Sequence, residues 1–282
     1  MSVLDFLDYQ FMQFALLAAS IVGLTAPLVG IFLVQRRLAL LGDGIGHIAL
    51  TGIGIAVLTG QAPIWGALVA ALCGAILVEY LRAKSKIAGD TALSIIFYGG
   101  IAGGVLLTSI RTGSAGSTLS SYLFGSLTTV SQSDLIAVVL LGLGIAFTVA
   151  MFGRQLLAVS VDPEHAHVQG LRLNFLSGLI ATLSAVTVTV GMRAVGLLLV
   201  SAIMIIPVVS AQQFAKSFRQ TAIAGSIIGW VSAIIGLVFS YYIDVPPGSS
   251  IVLTALGMFT IIAILVFILN LIQRKKVTDG FA

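Results

Sequence analysis

The segment RRLALLGDGIGHIALTGIGIAVLTG, residues 36–60, places a carboxylate and an imidazole four positions apart in an otherwise apolar run, as Asp43 and His47. Four helical residues turn the chain by about 400°, so the two side chains share one face, about 6 Å apart along the axis, and Thr51 continues the column. A carboxylate carried into hydrocarbon is costly unless it is paired or bound to a metal. Aspartate oxygen and imidazole nitrogen are both good ligands for zinc and similar divalent ions. The spacing leaves three roles open: a hydrogen-bonded Asp–His pair that locks two helices, a cation site or pathway, or a proton relay. Two ligands are too few for a tight closed site. A second copy of the chain would bring the number to four, and a transport site must in any case release its ion.

Composition says what must position such a pair. The chain has 282 residues, 59% of them hydrophobic and only 9% charged, with a mean hydropathy of +1.14. A soluble domain carries about 25% charged residues. The chain therefore reads as all-α, a polytopic transmembrane helix bundle forming one membrane domain over 1–282. A bilayer core about 30 Å thick needs roughly 20 apolar residues per helix. Candidate spans cover 10–34, 43–60, 63–82, 90–110, 132–152, 172–190, 194–212, 220–241 and 249–272, which sets the expectation at eight or nine. The stretch 117–130, STLSSYLFGSLTTV, is too short to cross and suits an interfacial or re-entrant helix. The N-terminal MSVLDFLDYQF lacks a basic region and does not resemble a cleavable signal peptide.

Charge placement sets the orientation. With the N-terminus outside, one set of loops holds Arg36, Arg37, Arg82, Lys84, Lys86, Arg154, Arg172, Lys216, Arg219, Arg274, Lys275 and Lys276. The opposite set holds Arg111 and Arg193. The positive-inside rule assigns the first set, and with it the C-terminus, to the cytoplasm. The net charge of +4 then faces the cytoplasmic leaflet, and no nucleic-acid partner is needed to explain it. Gly42/Gly46, Gly99/Gly103, Gly100/Gly104 and Gly225/Gly229 stand at the spacing that lets helices approach closely in lipid.

The remaining polar residues read as structural. Glu79 is expected to pair with Arg82, three residues on. The single cysteine, Cys73, is a small apolar-run residue that can form no disulfide within the chain. His165 and His167 are two apart, share no helix face and read as solvated cytoplasmic residues. Around them, AVSVDPEHAHVQGLR (158–172) is the longest polar stretch between spans. Asp162 suits an N-cap, Pro163 the first helical position, Glu164 the first turn, and Gly170 a left-handed close. A two-turn helix so stopped at both ends is expected on the cytoplasmic face, either as a capped connector or as a docking element. The chain has no GxxxxGK[ST] phosphate loop and no HExxH, so it is not expected to be an enzyme or to hydrolyse ATP itself.

Together these segments resemble the ABC-3 family, bacterial ABC importer permeases for zinc, manganese and iron, and look closest to its high-affinity zinc permeases. RRLALLGDGIGHIALTGIGIA is similar to the family pattern RRMS-x-x-GDA-x-SHA-x-LPGVA. DTALSIIF from Asp90, LSSYLFGSLTTVSQSDL (119–135), SVDPEHAHVQGL (160–171), VGLLLVSAIMIIPVVSAQQFAKSF (195–218) and FSYYIDVPPGSSIVL (239–253) match further family segments in order. Departures are Thr51, Gly44, Gly46, Val208, Val209 and Tyr98. The resemblance implies a homodimer with two cytoplasmic ABC ATPase subunits that bind ATP, and an extracytoplasmic metal-binding protein. It implies a bacterial plasma-membrane location and no permanently bound cofactor, only a transported divalent metal, most readily zinc. Asp43 and His47 match the family's Asp and His of the second span, and 162–170 would be the coupling helix. A permease for a metal chelate or cobalamin-like ligand, an ion-coupled secondary transporter and an intramembrane metalloenzyme are the rival readings.

Overall fold

The structure, a computed structural model, describes residues 9–84, 89–112, 123, 125, 131–194 and 196–279. The 117–130 stretch, apart from Leu123 and Gly125, lies outside them, as does Lys86. The side chains of Lys84, Asp90, Arg111, Arg193 and 274–276 are likewise not among those described. The described elements are all helices: α1 Gln10–Gln35, α2 Leu41–Thr59, α3 Pro63–Lys84, α4 Gly89–Thr112, α5 Gln132–Val161, α6 Pro163–Val168, α7 Leu173–Ala194, α8 Leu197–Gln212, α9 Phe218–Ile243 and α10 Pro247–Asp279.

Eight of these helices, all but α6 and α8, are long and apolar enough to cross a membrane. The expected span at 194–212 is shorter than the others. Helix α8 has 16 residues, about 24 Å against a hydrocarbon core of about 30 Å. Gly196 separates it from α7 with φ +93°, a conformation that breaks a continuous helix. The tip of this α7–α8 hairpin sits deep against α2. A Cβ built on Gly46 would lie 3.4 Å from Leu197, and one on Gly42 would lie 2.8 Å from Ser201 Oγ. From Gly46, α2 continues to Thr59, about 20 Å farther, so the hairpin ends well short of that face. Below the tip, α8 packs on α1, where a Cβ on Gly30 would meet the Met204 carbonyl oxygen at 1.9 Å.

Side-chain contacts identify the two ends of the bundle. At one end Arg36 donates to Ser177, and the Phe32 and Phe218 rings lie 5.5 Å apart. Glu79 and Arg82 stand at the same end, joined by the expected ion pair at 3.0 Å. At the other end the rings of Tyr9 and Tyr241 lie 6.5 Å apart. The chain therefore begins α1 and ends α9 on one side, while α10 carries it back to the other.

Lipid tails are as apolar as leucine, so close packing holds the spans together. A buried core runs from Met12 of α1 through α2, α3, α7 and α8 to Ala255 of α10. Where backbones touch, glycine is required: a Cβ on Gly52 of α2 would lie 2.2 Å from the Gly66 carbonyl oxygen of α3. The small-residue spacing is used selectively. Gly100 and Gly104 of α4 press on α2 and Gly229 presses on Gly23, whereas Gly99 faces open space. Leu140, Leu143 and Phe147 of α5 and Leu265, Phe267 and Leu269 of α10 point outward, as lipid-facing side chains do. Cys73 is also exposed.

Candidate functional site

Asp43 sits in the first turn of α2 and His47 one turn deeper. The column predicted from their spacing is split by what each residue meets. Asp43 is half-buried and lines a cavity of about 360 Å³ with Leu40, Leu93, Ser94, Phe97 and Tyr98. The three aromatic and serine positions come from α4, which runs alongside α2. A Cβ on Gly100 of α4 would lie 2.6 Å from the His47 carbonyl carbon, and without that side chain the two backbones touch.

His47 is 6% exposed, and its ring lies edge-on to Phe97 with centroids 4.3 Å apart. Its Nδ1 is buried with no hydrogen-bond partner among the described residues. A helix-locking Asp–His hydrogen bond would have given that nitrogen a partner. Leaving it bare costs about 1–3 kcal/mol, and such an exception calls for an explanation. Thr51 does not continue toward the cavity. It donates to the Gly100 carbonyl oxygen at 2.8 Å and so fastens α2 to α4. Thr51→Val is expected to lower stability by about 1 kcal/mol, as a thermal melt would record.

Among the described residues, no group of three or more His, Cys, Asp or Glu side chains gathers around a point. Among the described residues, one chain offers one carboxylate and one imidazole here. A closed tetrahedral site needs four ligands. The cavity is large enough for an ion with several waters, each water occupying about 30 Å³.

The second predicted element is present where Asp162, Pro163, Glu164 and Gly170 placed it. Asp162 caps α6 by accepting from the His165 backbone N–H at 2.9 Å, and Pro163 occupies the first position. Gly170 closes it with φ +79°, and the Leu171 N–H donates to the Ala166 carbonyl at 3.1 Å. His165 and His167 lie in this helix, exposed to solvent, with a ring nitrogen of His165 2.8 Å from Gln169 Nε2. Ala166 is fully buried and anchors the helix, whereas Val168 is 84% exposed. An apolar side chain held that far into solvent on a capped, anchored helix suits a contact with another protein.

Sequence reasoning singled out Asp43 and His47 but not Leu40, Ser94 or Phe97. The signal available was the aromatic pair Phe97–Tyr98 directly before Gly99–Gly100, where a close helix approach was expected.

Comparisons with known proteins bear on the family and the fold. The manganese import system permease protein ScaB of Streptococcus gordonii is 32% identical over 254 residues, 90% of this chain and 91% of that one. The manganese transport system membrane protein MntC of Listeria monocytogenes is 32% identical over 255 residues, 90% of each chain. Among solved structures, a chain of PsaBC from Streptococcus pneumoniae in complex with Fab superposes with a TM-score of 0.83 at 32% identity, covering 92% of this chain and 94% of that one. The ABC 3 transport family profile matches residues 8–267, and with that match spanning nearly the whole bundle, the chain belongs to the ABC 3 transport family.

Proposed function

We propose that the chain is the membrane permease of an ABC importer for divalent transition-metal ions, with Asp43 and His47 as transient ligands in its pathway. The observation that carries this reading is the bare, buried Nδ1 of His47 one helical turn above the cavity-lining Asp43. A carboxylate and a desolvated imidazole with an unused lone pair form half of a four-ligand site. Two chains related by a two-fold axis would complete it, so we take the working unit as a homodimer.

The zinc preference suggested by resemblance gives way to manganese as the first cargo to test, because the two relatives are named for manganese import and manganese transport. The donor set accommodates both ions. Carboxylate suits manganese and imidazole suits zinc, and zinc binds more tightly than manganese to most shared sites. Selection is then best assigned to an extracytoplasmic metal-binding protein that delivers the ion. Iron remains a third candidate cargo.

The chain carries no ATP-binding loop, so the energy comes from cytoplasmic ATPase subunits docked on α6, with ATP bound on those partners. Their closure moves α6 against α5 and α7, and the bundle alternates its access. In this reading the end bearing Arg36, Arg82 and α6 is cytoplasmic, the N-terminus lies outside, and the protein resides in the plasma membrane as one membrane domain. The test is cellular metal content in a deletion strain grown under chelation, read by mass spectrometry for manganese, zinc and iron. A fall in one of these metals, restored by the wild-type gene, is the expected result. Unchanged levels of all three would remove the metal reading and favour a chelate permease.

A further inference from the structure

Arg36 links α7, the helix that follows α6, to the turn that leads into α2. It caps the C-terminus of α1, and its Nη2 donates to Ser177 Oγ in the second turn of α7, 141 residues away in sequence. Ser177 is only 7% exposed. From α3, Glu79 attracts the Arg36 guanidinium and Arg82 repels it, while burial disfavours its charge most of all. Glu79 is itself held by Arg82 at 3.0 Å.

The two ends of this contact are mechanically distinctive. On one side, Ser177 lies on α7, which four residues separate from the end of α6. On the other, Arg36 opens a turn held by several backbone hydrogen bonds. Its own N–H donates to the Phe32 carbonyl at 3.1 Å, that of Leu38 to Leu33 at 2.8 Å, and that of Leu41 to Leu38 at 3.0 Å. Arg37 holds the left-handed conformation at φ 56°. Asp43 follows in the first turn of α2. A turn tied so closely moves as a unit, so a pull on Arg36 reaches the cavity-lining carboxylate.

We infer that Arg36 is a positioning residue that carries displacement of the coupling helix α6, through Ser177 on α7, to Asp43 on α2. This rests on the transport reading above. A lysine placed at the membrane border only for its charge would not need this contact. A guanidinium has five N–H donors in a fixed fork, so Arg36 can leave the Ser177 hydroxyl and turn toward Glu79 without losing compensation of its charge. Such an exchange would give the junction two discrete arrangements, as a coupling element requires.

The experiment uses the permease assembled with its ATPase in proteoliposomes, with manganese ion as the probe, and measures ions moved per ATP hydrolysed. Arg36→Gln is expected to assemble, to hydrolyse ATP within about twofold of wild type and to lose about tenfold in ions moved per ATP, within the range of ordinary coupling energies. Ser177→Ala is expected to lower the same ratio less, Arg36→Lys to recover part of it, and the Arg36→Gln/Ser177→Ala double variant to match Arg36→Gln alone. An unchanged ratio in the single variants overturns the inference, even if both rates fall together. Should Arg36→Gln fail to assemble, Ser177→Ala decides, because it removes one hydroxyl and no charge. A wild-type complex that hydrolyses ATP but moves none of manganese, zinc or iron would instead sink the transport reading itself.

Discussion

Replacing His47 by leucine is expected to abolish metal uptake while leaving the folded protein as stable as before, or more so. The two effects separate because of what the imidazole does in the resting structure. Its Nδ1 is buried without a partner, and its ring is 6% exposed against Phe97. Removing an unsatisfied buried polar group recovers up to about 1–3 kcal/mol, and leucine keeps the apolar contact with Phe97. A purely structural histidine predicts the opposite sign, a loss of stability with uptake reduced only in proportion to folded protein. Asp43→Asn removes the charge but keeps the shape of the cavity wall. Losing about 3 kcal/mol of transient ion binding corresponds to on the order of a hundredfold in occupancy, so uptake near background is expected for either variant. A thermal melt of the purified permease and an uptake assay on the same preparation check both halves.

The second large effect is expected from a matched pair of adjacent glycines. Gly100→Ala would put a Cβ 2.6 Å from the His47 carbonyl carbon and 2.7 Å from the Ile48 nitrogen. Both are backbone atoms of α2 and cannot step aside. Helix α4 would have to move away, lengthening the 2.8 Å Thr51–Gly100 hydrogen bond and withdrawing Phe97 from His47. Overpacking of this kind costs about 1–3 kcal/mol, occasionally more, and uptake should fall with it. Gly99→Ala, one residue earlier, meets nothing within 4 Å. There the substitution should only add helix propensity, up to about 1 kcal/mol of stabilisation. Melting temperatures of the two variants in detergent should move in opposite directions. Movement in the same direction would mean that α2 and α4 do not meet at Gly100.

These effects show which parts of the molecule were legible from sequence. The spans were, because hydrocarbon demands long apolar helices and the basic residues fall on alternate loops. Helix α6 was legible to within a residue or two, because Asp162, Pro163 and Gly170 act on the backbone beside them and need no tertiary partner. The shortness of α8 was not. Hydropathy sees Leu197–Gln212 as apolar but cannot see that Gly196 turns the chain beside Gly46, deep within the bundle. Asp43 and His47 were legible as a pair because ionisable groups are rare in such a segment. Thr51 was expected to continue their column, and nothing local marks the Gly100 carbonyl as the acceptor of its hydroxyl. Nothing local marks Ser177 as the partner of Arg36 across 141 residues, and nothing local says which face of α4 lines the cavity. Both depend on how helices pack, which a single chain records only in its close-contact glycines.

The central claim is that a divalent ion passes Asp43 and His47 on its way across the membrane. The most direct measurement is ATP-dependent manganese accumulation in proteoliposomes containing the permease–ATPase complex, wild type beside Asp43→Ala/His47→Ala, with ATP hydrolysis recorded in the same vesicles. The account predicts accumulation by the wild type, and assembly and hydrolysis without accumulation by the double variant. Undiminished accumulation by a fully assembled double variant would contradict it.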